Sequence, residues 1–175
     1  MVKYLINQRY EVGEADSRRE FGKGEKREDY ADAWQDTGNV VLVGLRGAGK
    51  AELARLLGER TGLEVITPET TDRAVEALEP GGRVVVLDDS LVEHADVQPL
   101  IHGAGKVFYL MADTRLLSGR VAGRDSVEDE EGLWREMSAR LARMEPVFYS
   151  VLHFILHAAQ PPEEMLGDAL EKIGY

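Results

Sequence analysis

The residues with the clearest chemical potential lie in the stretch VVLVGLRGAGKAEL, residues 40–53, which contains the pattern G-x-x-x-x-G-K. Its glycines allow the backbone to curl, so that several N–H groups point into one concavity that suits a phosphate group. Lys50 would reach the outer phosphates of a nucleotide, and the helix expected after it would add its positive dipole end. The stretch predicts a phosphate site with contacts from Gly44, Arg46, Gly47, Ala48, Gly49, Lys50 and Ala51.

Ala51 departs from the usual pattern at the position where a Ser or Thr hydroxyl normally ligates Mg²⁺. The segment RVVVLDD could compensate, because Asp88 would follow a buried strand and present a carboxylate beside the phosphate loop. Asp88 is therefore the candidate metal ligand and, with Lys50, a candidate catalytic residue. The alternative is that Asp89 or Ser90 only caps the next helix. The sequence leaves both open.

Apolar runs of strand length alternate with helical patterns from Asn39 onward. This alternation predicts an α/β fold of three layers, the P-loop fold, with a five-stranded parallel sheet and helices on both faces. A helix is expected to start at Thr67, because this threonine could be the N-cap, Pro68 the first-turn proline and Glu69 an early acid. The predicted strands are NVVLVG, LEVIT, RVVVLDD, KVFYLM and VLHFILH.

Residues 1–38 differ from the rest, being dense in mixed charge and without a period of 2 or 3.6. We interpret them as a charged N-terminal extension with a short helix around residues 28–35, or alternatively as a mobile arm. Residues 39–175 form the predicted P-loop domain.

Composition narrows the classes of protein. The 175 residues contain 21 Lys and Arg against 32 Asp and Glu, a formal charge of −11, which argues against a nucleic-acid or anionic-membrane surface. The chain has no cysteine, which excludes disulfides and thiol catalysis. With no long apolar run, a cytoplasmic location is expected.

From Asn39 to Ile173 the chain resembles the shikimate kinase family, over about three quarters of its length. The phosphate loop, GAGKVFYLMADTRLLSGRV and EPVFYSVLHFILHAAQPPEEMLGDALEKI carry the resemblance. It implies transfer of phosphate from MgATP to the 3-hydroxyl of shikimate, within aromatic amino acid biosynthesis. It also implies that Arg120 lies against one face of the adenine, and Pro161 or Pro162 against the other.

The metal and acceptor motifs of that family are altered in this chain. Glu69 matches one acid of the family's Asp-x-Asp, Arg73 is the candidate left for the first substrate arginine, and Arg143 lies one residue from the second. Asp88, Asp89 and Ser90 stand where the family has three glycines. The arginine-bearing lid corresponds to GRDSVEDEEG, in which Arg124 stands among five acids.

Three functions follow from this pattern. The first is a protein that binds ATP or ADP and phosphorylates shikimate weakly or not at all. Whether it also binds Mg²⁺ is left open by Ala51. The second is an active small-molecule kinase with a changed acceptor, shikimate or another small hydroxylated acid being the candidates. The third is an interaction protein that uses residues 1–38. A monomer and a homodimer both remain open.

Overall fold

The computed structural model describes residues 37–175, which fold around one five-stranded parallel sheet. The strand order is β2-β3-β1-β4-β5, and every neighbouring pair is parallel. This confirms the predicted three-layer α/β fold. The strands are β1 (Val40–Val43), β2 (Glu64–Ile66), β3 (Arg83–Val86), β4 (Lys106–Met111) and β5 (Phe154–His157).

Helices connect the strands, and none in the described part of the chain is both long and apolar enough to cross a membrane. The first helix is capped at its C-terminus by Gly62, whose left-handed backbone is typical of that position. The helices are α1 (Lys50–Thr61), α2 (Thr71–Ala77), α3 (Asp89–Val92), α4 (Gln98–Ile101), α5 (Thr114–Asp125), α6 (Glu130–Val151) and α7 (Pro162–Ile173).

Strand β1 lies at the centre of the sheet, between β3 and β4, and is buried along its whole length. Leu42 is in register with Val86 of β3, and the Leu42 carbonyl accepts a hydrogen bond from the Leu87 N–H at 3.0 Å. Because parallel strands end at the same edge, the segments after β1 and β3 emerge side by side there. The fold thus brings the phosphate loop and Asp88 to one place.

The structure corrects one local prediction and sets the bounds of the lid segment. Helix α2 begins at Thr71 rather than near Thr67, because Thr70 is the residue whose hydroxyl caps it, accepting from the Arg73 N–H. In the acidic segment 124–132, α5 runs to Asp125 and α6 starts at Glu130, so only residues 126–129 lie between the helices. The helix expected around residues 28–35 lies outside the described residues, and the boundary at residue 39 stays a prediction.

Asn39 fixes the entry to β1 and gives a first stability prediction. Its side chain, 2% exposed, donates to the Glu79 and Ala104 carbonyls at 2.9 and 3.1 Å and accepts from the Arg83 N–H at 3.0 Å. Asn39→Ala removes these three hydrogen bonds, of which only the one to the Ala104 carbonyl has a substitute, from the Thr37 hydroxyl, and we expect it to lower the free energy of unfolding by about 2–4 kcal/mol. Urea unfolding measures this.

The control for that substitution is Ser150→Ala on the exposed side of α6, expected to change the free energy of unfolding by less than about 0.5 kcal/mol. A loss at Asn39 no larger than that of the control would contradict the structural role given to the Asn39 amide.

Candidate functional site

The loop from Gly44 to Gly49 joins β1 to α1 and depends on glycine for its shape. Gly47 and Gly49 have φ values of 86° and 90°, in the left-handed region that favours glycine. A Cβ atom at Gly47 would lie 2.9 Å from the Leu117 carbonyl oxygen. These conformations turn the loop over the start of a twelve-residue helix, where N–H groups are free of helical partners.

Lys50 is the first residue of α1, and its ammonium group folds back to donate to the Gly44 carbonyl oxygen. Burial lowers the pKa of Lys50 to about 8, an effect that the nearby charges of Asp88 and Asp89 partly oppose. The ammonium is therefore charged at neutral pH in a poorly hydrated position. An anion entering the loop would stabilise that charge.

A cavity of about 360 Å³ opens on the loop, and its walls carry three arginines besides Lys50. Arg120 on α5 donates to the Gly47 carbonyl oxygen at 3.2 Å, which ties α5 to the loop. The sequence placed Arg124 only in the lid segment, but the structure adds it to this cavity. The lining residues are Leu45, Arg46, Gly47, Ala48, Gly49, Lys50, Ala51, Glu52, Val86, Asp88, Arg120 and Arg124.

The start of α7 also packs against the loop. The Met165 methyl group lies 3.7 Å from the position that a Cβ atom of Gly49 would take. Pro162 begins this helix one turn earlier and is exposed. Of the residues carried over from the resemblance, the structure thus brings Arg120 to the loop itself and the first turn of α7 to its flank.

Asp88 lines the same cavity and also caps α3. Its carboxylate accepts from the Ser90 N–H at 3.0 Å and the Ser90 hydroxyl at 2.7 Å. Burial raises its pKa, but the hydrogen bonds from Ser90 and the charge of Lys50 outweigh this, so the pKa lies below 3.8. The residue that caps α3 is therefore Asp88, rather than Asp89 or Ser90, and capping leaves its carboxylate ionised at the cavity wall.

The wall of this cavity carries two carboxylates, Asp88 and Glu52, and Glu52 already accepts hydrogen bonds from Arg55. Within residues 37–175, no group of three or more His, Cys, Asp or Glu side chains is placed to hold a metal ion. Mg²⁺ at nucleotide sites is commonly held by one or two carboxylates together with phosphate oxygens and water. The Asp88 carboxylate fits such a site, whereas Ala51 offers no hydroxyl to it.

Asp89 takes part in an ion-pair cluster that the sequence did not indicate. Its carboxylate accepts from Arg140 Nε at 2.5 Å, and Glu93 accepts from Arg140 Nη1 at 2.8 Å. Arg140 lies 51 residues away on α6, so no local motif signals the contact. The weak signal available was its helical spacing from Arg143, which puts both arginines on one side of α6.

The three predicted acceptor residues lie apart from the phosphate cavity. Glu69 and Arg73 line a second cavity, of about 570 Å³, together with residues of β2 and α2. Arg143 is exposed on α6, with its guanidinium 3.6 Å from the Glu93 carboxylate. The structure therefore brings Glu69 and Arg73 together, and it places neither of them with Lys50.

A glycine-bent loop between the central parallel strand and a helix that starts with lysine defines a P-loop protein of the kinase fold. The comparisons with known proteins confirm the more specific resemblance. Shikimate kinase 2 of Yersinia enterocolitica is 27% identical over 169 residues, covering 77% of this chain and 94% of that protein. No protein-family model matches. The chain is thus a divergent relative of the shikimate kinases.

Solved structures support the same fold. A shikimate kinase from Acinetobacter baumannii, in complex with shikimate, superposes with a TM-score of 0.66 at 22% identity, covering 77% of this chain and 92% of its own. Shikimate kinase from Bacteroides thetaiotaomicron gives a TM-score of 0.69 at 16% sequence identity, covering 78% of this chain and 98% of its own. Deoxyadenosine kinase from M. mycoides gives a TM-score of 0.51 at 13% identity, with the same coverage of 78% and 98%. Proteins with different acceptors share this fold.

Proposed function

We propose that the chain binds ATP or ADP in the cavity formed by residues 44–51, and that transfer to shikimate is weak or lost. The observation that carries the proposal is the convergence of Lys50 and Arg120 on one cavity at the end of the central strand, whose lining also includes Arg124, paired with the exposed Asp125. Cationic side chains and the N–H groups at the start of α1 are the partners that phosphate oxygens require.

The acceptor side supports the second half of the proposal. A carboxylate acceptor needs a cation with free donors close to the transferred phosphate. Arg143 is exposed, Arg140 is bound to two carboxylates, and Arg73 lies in a different cavity. The side of the site that would receive phosphate thus offers shikimate weaker recognition than the nucleotide side offers ATP.

Thermal unfolding of the full chain tests this proposal directly. A ligand at a hundredfold excess over its Kd stabilises a protein by about 2.7 kcal/mol, or several degrees in Tm at this size. We expect millimolar ATP and ADP to raise Tm by at least about 3 °C, and adenosine and shikimate to leave it unchanged. If neither nucleotide shifts Tm, the proposed function is wrong.

The pKa of Lys50 predicts how nucleotide affinity changes with pH. Only the protonated side chain offers a positive charge to phosphate, and its pKa of about 8 means that this form is lost as pH rises through 8. We expect the apparent Kd for ATP to increase roughly 30-fold between pH 7 and pH 9.5, following the charged fraction. Calorimetric titrations at pH 7, 8 and 9.5 measure the change.

The matched control for the pH series is Lys50→Met, whose weaker ATP binding should change little between these pH values. An affinity of the unaltered chain that stays constant to pH 9.5 would show that Lys50 does not supply the charge.

One observation favours a second candidate, an active kinase with a changed acceptor. The Asp88 carboxylate faces the phosphate cavity and stays ionised, so it could hold Mg²⁺ beside the phosphates. Release of ADP from MgATP, above that of a Lys50→Ala variant and in the presence of a small hydroxylated compound, would support this candidate. Release stimulated by shikimate would contradict the loss of the family reaction.

A further inference from the structure

Arg140, Arg143, Asp89 and Glu93 form a charged cluster between α3 and α6, called here the Arg140 cluster. We propose that Asp89 and Glu93 determine acceptor specificity: by occupying Arg140 they exclude carboxylate-bearing acceptors, which leaves uncharged hydroxyl compounds such as sugars or nucleosides as the accepted class. The inference rests on the proposed function, because an acceptor has meaning only beside a bound nucleotide.

The geometry of the cluster shows that Arg140 uses one donor on each of its two planar edges, Nε on one and Nη1 on the other. Its Nε and Nη1 atoms donate to two different carboxylates, Asp89 at 2.5 Å and Glu93 at 2.8 Å. The side chains of Arg140, Asp89 and Glu93 are 19%, 14% and 35% exposed, so water competes weakly for these contacts. The planar guanidinium that could grip a ligand carboxylate in two-point fashion is bound instead by the protein's own acids.

The position of the cluster connects it to the phosphate site. Asp89 follows directly on Asp88, which lines the phosphate cavity, and the charges of both acids act on Lys50. An acceptor hydroxyl must approach the outermost phosphate, close to the charged end of Lys50. Because Asp89 is the next residue after Asp88, the Arg140 cluster adjoins the side of the cavity that the segment after β3 forms.

The pairing of charges sets the direction of selectivity. Within the Arg140 cluster the two acids, Asp89 and Glu93, already balance the two arginines, and the neighbouring Asp88 interacts with the charge of Lys50. A ligand carboxylate would have to displace Asp89 or Glu93 from Arg140 and would then face both acids. Arg143, at 66% exposure and 3.6 Å from Glu93, is too hydrated to compensate. An uncharged hydroxyl compound meets no such repulsion.

The test frees Arg140 in the full chain with the isosteric double substitution Asp89→Asn and Glu93→Gln. The probe is shikimate, used as a small carboxylate, titrated calorimetrically in the presence of ADP. We expect the double variant to bind shikimate roughly 10- to 100-fold more tightly than the unaltered chain, as a charge-assisted arginine contact becomes available. The control is Glu79→Gln with Glu171→Gln, which makes the same charge change at exposed positions elsewhere and should give no gain.

Two further variants keep the test decisive if the double variant is less stable. Glu93→Gln alone retains the Asp89 contact and should give a smaller gain, and adding Arg140→Gln to the double variant should abolish the gain. Equal binding by the unaltered chain and the double variant, or an equal gain in the control, would overturn the proposal. The Tm shift with ADP in each preparation reports nucleotide binding separately. Failure of the proposed nucleotide binding can therefore be distinguished from failure of the acceptor inference.

Discussion

The Lys50→Met variant is expected to bind ATP at least about a hundredfold more weakly than the unaltered chain. The Lys50 ammonium can donate to more than one phosphate oxygen, and charge-assisted hydrogen bonds contribute about 1.5–3 kcal/mol each. Methionine keeps the length of the side chain and removes the charge. Because the Lys50 side chain is poorly hydrated, we expect the folded chain to tolerate an apolar side chain of the same length there.

Calorimetric titration of ATP at pH 7 measures this loss, with Lys172→Met as the control because Lys172 lies in the last turn of α7. The control should bind ATP within about twofold of the unaltered chain, since single surface charges have small effects. If Lys50→Met bound ATP as tightly as the control, the phosphate loop would not be the nucleotide site.

The second large effect is expected for Arg140→Ala, which should lower the free energy of unfolding by about 2–3 kcal/mol. Removing one partner of an ion pair that is shielded from water strands the other charge, and here two partly buried carboxylates lose their shared donor. The full penalty for a buried pair is about 3–5 kcal/mol, and it is reduced here because Glu93 is partly exposed.

Arg143→Ala is the matched control, because it removes the same guanidinium one helical turn away from a largely exposed position. We expect it to cost less than about 0.5 kcal/mol in urea unfolding. Equal losses for the two variants would show that the Arg140 cluster is an ordinary surface network.

The fold was predictable because its signals are local. Buried strands such as KVFYLM read as continuous apolar runs, and the glycines and lysine of the phosphate loop have fixed spacing. The left-handed φ at Gly49 and the helix beginning at Lys50 follow from that spacing alone. The same is true of α5, whose N-cap Asp113 precedes a regular helical pattern.

The features that the sequence did not predict depend on contacts between distant segments, or on a choice between neighbouring residues that are equally suitable as helix caps. Arg140 and Asp89 are 51 residues apart, so only the packing of α6 against α3 reveals their pairing. The start of α2 was misplaced because Thr67 and Thr70 are equally suitable caps by type. Glu69 and Arg73 were expected at the acceptor site, and their roles stay predictions, since they line a different cavity from Lys50.

Titration of ATP into the full chain, once with Mg²⁺ and once with EDTA, tests the central claim most directly. Because Lys50 and Arg120 supply the positive charge while Ala51 supplies no metal ligand, we expect binding under both conditions, with affinities within about tenfold of each other. The absence of ATP binding under both conditions would contradict the claim that this divergent P-loop protein keeps its nucleotide site.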